Sequence, residues 1–243
     1  MTPLAASKML AAASVRDALV LLASVAPGSP KYATGLMKHT TRFSNMSTAA
    51  VVLAAGGSRR LGRTKQLEPW GESNLLGHVV ARTRQFPVDE IWVVLGHNAD
   101  QILAETNLGD VYVVENFEWE EGIASSLRVA LDALTRLSRC DRALVVIGDQ
   151  PEVPVEVVSE LLESHARSGK QVTVPKYRYS WGNPVVVDRS LWARLMSLEG
   201  DEGAKRLWQA HPEWVNEVWF PESAPRDVDT EADIDELKPR HPA

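Results

Sequence analysis

The residue types that could act on a phosphate chain gather in three short stretches. The first is VVLAAGGSRRLGRTK, from Val51 to Lys65, where an apolar strand gives way to small residues and then to four cations, Arg59, Arg60, Arg63 and Lys65. Ala54, Ala55, Gly56 and Gly57 carry little or no side chain, so their backbone N–H groups can approach a phosphate closely. Arg60 and Lys65 would neutralise its charge, the arginine as a fork and the lysine as a point charge. The plainer reading is a glycine-rich turn beside a solvated basic loop. A dinucleotide site is disfavoured, because AAGGSRRLG lacks the G-x-G-x-x-G spacing.

The second stretch is ALVVIGDQPEV, in which an apolar run ends on Asp149. An anion placed there is costly unless a cation accompanies it, and magnesium is the usual one near phosphates. The alternative is a strand-end aspartate that caps the following helix. The third stretch, RDVDTEADIDEL, carries Asp227, Asp229, Thr230 and Asp233 near the end of the chain. By itself it reads equally as an acidic helix start with Thr230 or Asp229 as its N-cap.

The elements that must position these residues are legible as alternating strands and helices. AVVLAA, IWVVLG, VYVVE, ALVVIGD, QVTVP, NPVVVD and VNEVWF read as strands. SSLRVALDALTRL reads as a helix capped by Ser125 or Ser126, and PVEVVSELLESHARSG as one opened by Pro154 and closed by Gly169. Such alternation predicts a three-layer α/β/α domain around a mostly parallel sheet, whose ligands bind at the carboxyl ends of the strands. All three stretches fall at such ends or close to the end of the chain.

Composition sets further bounds. The 243 residues have a formal net charge of -6, which argues against a nucleic-acid surface. Cys140, the single cysteine, can form no internal disulfide and fits a reducing, cytoplasmic compartment. Residues 1–45 are alanine-rich but broken by Lys8, Arg16 and Asp17, so a membrane span is excluded and a signal peptide disfavoured. They read as a disordered or weakly helical extension, or as sequence before a true start at Met46, with the domain covering 46–243. His78 and His97 lack a second histidine or cysteine at ligand spacing and are expected to be structural. Trp92, Trp208 and Trp219 fall on core-facing periods, whereas Trp119 and Trp181 lie in segments that could meet substrate.

The first stretch resembles the signature L-A-A-G-x-S-x-R-M-G-x-x-K of nucleotidylyltransferases with a glycosyltransferase-A-like, Rossmann-like fold. Leu53, Ala54, Ala55, Gly56, Ser58, Arg60, Gly62 and Lys65 match, and Leu61 replaces methionine. Gly148, Asp149 and Pro151 match the family's G-D-x-P metal-binding segment, and Gln150 gives the form found in the molybdenum cofactor cytidylyltransferase branch. The third stretch is similar to that branch's D-I-D-T-x-x-D. From the resemblance, Asp229 is the expected second magnesium ligand beside Asp149, with Asp227 less favoured. The segment around Asn116, Gly122 and Ser126 is similar to one that lies beside the bound nucleotide. WGNPVVVD resembles the branch's G-H-P-V, with Asn183 where histidine is usual, and GDEGAKRLW resembles G-D-x-G-A-R, with Lys205 for arginine. Asn183 and Lys205 are therefore the acceptor candidates, although Lys205 and Arg206 also read as exposed helix cations.

The resemblance spans about residues 48 to 238. It implies transfer of a nucleotidyl group from a nucleoside triphosphate to a phosphorylated acceptor, with release of pyrophosphate. Arg60, Lys65 and Asp149 would be catalytic, and Leu53 to Ser58, Gly122 and Ser126 would bind nucleotide. The branch implies molybdopterin as acceptor and a molybdoenzyme or its chaperone as recipient, and Ala55, where guanylyl-transferring relatives have glycine, favours CTP. A sugar-1-phosphate nucleotidylyltransferase, a guanylyltransferase and a non-catalytic cofactor-delivery protein are the alternatives.

Overall fold

Thr48–Leu53 is buried along its whole length, as expected for a strand covered by helices on both faces. The computed structural model describes residues 9–13, 17–18, 46–197 and 203–238. The strands are β1 (Met9–Ala13), β2 (Asp17–Ala18), β3 (Thr48–Leu53), β4 (Pro69–Trp70), β5 (Ser73–Asn74), β6 (Glu90–Leu95), β7 (Tyr112–Glu115), β8 (Arg142–Ile147), β9 (Val172–Tyr177), β10 (Ser180–Trp181), β11 (Val185–Asp188) and β12 (Val215–Phe220). The helices are α1 (Leu75–Thr83), α2 (Ala99–Glu105), α3 (Ile123–Leu137), α4 (Val155–Ser168), α5 (Trp192–Leu195), α6 (Gly203–Ala210) and α7 (Glu231–Leu237).

Among the described residues the main sheet runs β10-β9-β11-β8-β3-β6-β7-β1-β2, with β12 on the far side of β9. The centre, β8-β3-β6-β7, is parallel, while β11 runs antiparallel to both β8 and β9. The strand period of two divides the core between the faces. Ala50, Val52 and Ala54 pack with residues of α1 and α4 on one side, whereas Ala49, Val51, Leu53 and Ala55 pack with α3, α5 and Trp208 on the other. A third cluster joins Trp70, Leu75 and Leu61 to Val228, Ile234 and Leu237, so the end of the chain is seated beside the loop that follows β3.

Three sequence expectations need correction, and one alternative falls. α3 begins at Ile123 with Gly122 as its N-cap, at φ 101° and ψ -175°, a conformation that only glycine adopts readily. Ser125 is instead inside the first turn, its Oγ 2.8 Å from the Gly122 carbonyl. Trp219 is 63% exposed. It alternates with Val218 and Phe220 on β12, and those two residues face the core. Asp149 does not cap the next helix, because Pro154 is the N-cap of α4. Within 1–45, Met9–Ala13 extend the sheet in parallel beside β7 rather than forming a helix; the rest of that segment, apart from Asp17–Ala18, lies outside the described residues.

Because β1 and β2 add only to the edge beyond β7, a chain that starts at Met46 is expected to keep the domain. Loss of soluble expression, or of the cooperative thermal transition followed by circular dichroism, would make residues 1–45 part of it. His165 on α4 gives a second expectation. Burial holds its pKa down to about 4, with the Arg142 guanidinium adding to the effect, and its Nδ1 lies 3.0 Å from Thr173 Oγ1. Above pH 6.5 both folded and unfolded chains carry it neutral. Between about 6.5 and 4 only the unfolded chain takes the proton, so stability falls with pH by about 3 kcal/mol in all. His165→Asn should flatten the melting temperature against pH over that window, and parallel curves for the two proteins would refute the assignment.

Candidate active site

Chain elements distant in sequence meet at the carboxyl ends of β3 and β8. After Leu53 the chain turns outward through Ala54 to Ser58, and Ser58 takes a left-handed φ of 51°. Gly57 lies against Trp119, and a Cβ there would come within 2.8 Å of the indole ring. A Cβ at Gly56 would meet nothing within 4 Å, so that backbone borders open space. The loop closes on a short 3-10 turn, Lys65–Leu67, where the Lys65 N–H donates to Ser58 Oγ at 3.2 Å.

Lys65 Nζ stands 2.5 Å from Asp149 Oδ2 and 3.0 Å from Asp229 Oδ1, and Arg60 reaches Asp229 Oδ2 at 2.8 Å. Burial pushes the Asp149 carboxyl above the usual carboxylate range, although the Lys65 ammonium pulls the other way. For Lys65, burial works against the charge, but attraction to the two carboxylates outweighs it and the pKa rises. The reading that satisfies both groups is an ammonium held between carboxylates. Asp149 Oδ1 is buried and, among the described residues, has no hydrogen-bond partner.

Asp229 is delivered by α7. Thr230 is its N-cap and forms a capping box with Asp233, so the plainer reading of Thr230 is correct, and Asp229 still faces the cleft one residue earlier. The Val228 N–H donates to the Asp149 carbonyl at 2.9 Å, and Gln150 Nε2 donates to Asp227 Oδ1 at 2.7 Å, which occupies Asp227. Arg63 spans the remaining gap by pairing with both Glu68 and Glu231.

Leu53, Ala54, Ala55, Gly56, Ser58, Arg60, Lys65, Gly122, Ser126, Asp149 and Asp229 line one cleft of about 460 Å³, with Trp119 and Gln66. Gly57 stands behind the surface, against Trp119. Asn116 secures the opposite wall, its Nδ2 donating to Ser125 Oγ at 2.8 Å and Ser126 Oγ at 3.0 Å. Asn183 and Lys205 line a neighbouring cavity of about 360 Å³ together with Trp181 and Trp208, and Leu53, Ile123 and Ile147 border both spaces. His97 tilts against Trp119 at 4.9 Å between ring centroids. Gln66 is not legible as a site residue because it lies one position beyond the end of the motif, and only its adjacency to Lys65 draws attention to it.

This geometry suits an anionic chain lying on the glycine-rich backbone, with Arg60 and Lys65 interleaved with two carboxylates able to share a metal ion. Among the described residues no three histidine, cysteine, aspartate or glutamate side chains form a metal cluster. Magnesium commonly takes one or two carboxylates and completes its shell with water and substrate phosphates, so Asp149 and Asp229 fit that habit.

Residues 50–215 match the MobA-like NTP transferase domain. The chain is 33% identical over 192 residues to the nicotine blue oxidoreductase of Paenarthrobacter nicotinovorans, covering 74% of this chain and 91% of that protein. The crystal structure of a Mycobacterium tuberculosis Rv0371c homologue from Mycobacterium sp. strain JC1 is 34% identical, with a TM-score of 0.68 over 78% of this chain and 94% of the other. The complex of Rv0371c with manganese, from M. tuberculosis H37Rv, is 30% identical at a TM-score of 0.67, covering 80% and 99% respectively. By the family match, the relative and the cleft together, the chain belongs to the MobA-like NTP transferase family and is a nucleotidyltransferase of the glycosyltransferase-A-like fold.

Proposed function

We propose that the protein transfers a cytidylyl group from CTP to a phosphorylated acceptor of the molybdopterin type and releases pyrophosphate. The observation that carries this reading is the cleft itself. Glycine-rich backbone and Lys65 face a buried carboxylate, Asp149, one oxygen of which has no hydrogen-bond partner among the described residues. Asp149 and Asp229 would hold a divalent cation, magnesium in this reading. Such a cation, when bound, neutralises charge developing on the phosphate oxygens.

The chain's own groups do the positioning. The backbone from Ala54 to Ser58 lies along the triphosphate, and Arg60 and Lys65 stabilise charge on the departing pyrophosphate. Gly122 and Ser126 border the nucleotide. Asn183 and Lys205 bound the acceptor cavity, which shares Leu53, Ile123 and Ile147 with the nucleotide cleft. In-line attack by an acceptor phosphate on the α-phosphorus needs no covalent participation by the protein, so alignment and electrostatics supply the acceleration. Among the described residues no helix is long and apolar enough to cross a membrane.

Base choice is assigned to Ala55. Its methyl is buried and lines the cleft beside Trp119, backed by Gly96, where a Cβ would fall 2.9 Å from it. With no space behind, the methyl narrows the cleft and disfavours a purine. One methylene-sized change is worth about 1–3 kcal/mol, so GTP use should be slower but measurable.

CTP and GTP competing in one reaction with a molybdopterin-type acceptor, read by product mass, should give mainly the cytosine product, and Ala55→Gly should narrow the ratio. A chiefly guanine product refutes the base assignment. Absence of any nucleotidyl product, with nucleotide bound, leaves a delivery protein. A chain that shares the activity named for its P. nicotinovorans relative would release no pyrophosphate in this assay. Asp149→Asn and Asp229→Asn should each lower pyrophosphate release at least a hundredfold at ordinary magnesium, because an amide is a poorer magnesium ligand of the same shape (~2.7 kcal/mol). Asp227→Asn should be milder. Near-normal turnover of Asp149→Asn would remove it from the metal site, and the reverse order for the other two would move the second ligand to Asp227.

A further inference from the structure

Gln66 is 3% exposed, in the turn directly after Lys65. Its Nε2 donates to the Ala54 carbonyl at 2.8 Å and to the Gly56 carbonyl at 2.9 Å, while its Oε1 lies 3.5 Å from Ser58 Oγ. Carbonyl oxygens only accept, so the amide nitrogen must face both of them. The carbonyl between them, that of Ala55, accepts the His97 N–H at 3.1 Å. Three successive carbonyls are thus engaged within the protein. Among the described residues, the N–H groups of Gly56, Gly57 and Ser58 have no acceptor. Left unengaged, the carbonyls could rotate toward a bound phosphate and repel it.

We propose that Gln66 is the positioning residue of the phosphate loop: by fixing the Ala54 and Gly56 carbonyls, it leaves the following N–H groups to the β- and γ-phosphates of the nucleotide. The proposal rests on the nucleotidyl-transfer reading. Gln66 itself need not touch substrate. Neither cations nor glycines alone produce this arrangement, because glycine-rich backbone has no preferred orientation until something fixes it. One amide with two donors fixes two peptide units together, whereas a carboxylate of the same shape has no donor.

The test uses the full chain and inorganic tripolyphosphate with magnesium, titrated by calorimetry, because this probe reports the phosphate loop without base or acceptor. Gln66→Glu and Gln66→Met are each expected to lose at least tenfold in tripolyphosphate affinity. In steady-state assays the KM for the nucleotide should rise by a similar factor, while kcat at saturation stays within threefold and the KM for the acceptor is unchanged. Leu161→Ala, which opens a cavity in the buried face of α4, is the control for lost stability. It should lower the melting temperature yet bind tripolyphosphate as the parent does. Equal affinity in the parent and either Gln66 variant overturns the proposal, as does a loss in Leu161→Ala as large as that in Gln66→Met. Failure of the parent to bind tripolyphosphate removes the nucleotide reading itself, a result distinct from a Gln66 variant that binds normally.

Discussion

The site depends on the burial of the Asp149 carboxylate at the end of β8, opposed by the Lys65 ammonium at 2.5 Å. Taking two such charges out of water costs several kcal/mol for each, and mutual attraction offsets that only when the geometry is held firmly. Much of the surrounding architecture supplies that firmness. The Val228 N–H is tied to the Asp149 carbonyl, Gln150 anchors Asp227, and the paired forks of Arg63 bind the loop to the first residue of α7. Lys65 and Asp229, 164 residues apart, are thereby brought to 3.0 Å.

The sheet explains why the two cavities differ. At its parallel centre every strand end faces the same way, so loops after β3 and β8 converge on one cleft, as open α/β sheets require. Beyond β8 the direction reverses at β11, and the wall there is built from side chains of the strands themselves, Val174, Val185 and Val187, with Trp208 from α6. One space is therefore walled largely by loops and backbone, the other by packed side chains.

Most of this was legible in the sequence because it is local. Each central strand shows as a short apolar run between turn residues, and Ala54 to Lys65 and Gly148 to Pro151 lie close enough together to be read as units. The residues that escaped depend on partners distant in the chain or on angles that composition does not encode. Gln66 acts on carbonyls of residues 10 and 12 positions earlier. Trp219 alternates as a core residue would, but Val218 and Phe220 take the core-facing side of β12, which leaves Trp219 on the face open to water. The start of α3 was misplaced because two serines look like caps, whereas the unusual backbone of Gly122 makes the turn.

Leu53, Ile123 and Ile147 border both cavities. A rotamer change at Ile123, which is 45% exposed, therefore alters the shape of both. Tenants of the two cannot be independent. Whatever free energy the first contributes to setting that side chain, the second experiences with equal magnitude, since coupling between two equilibria is reciprocal.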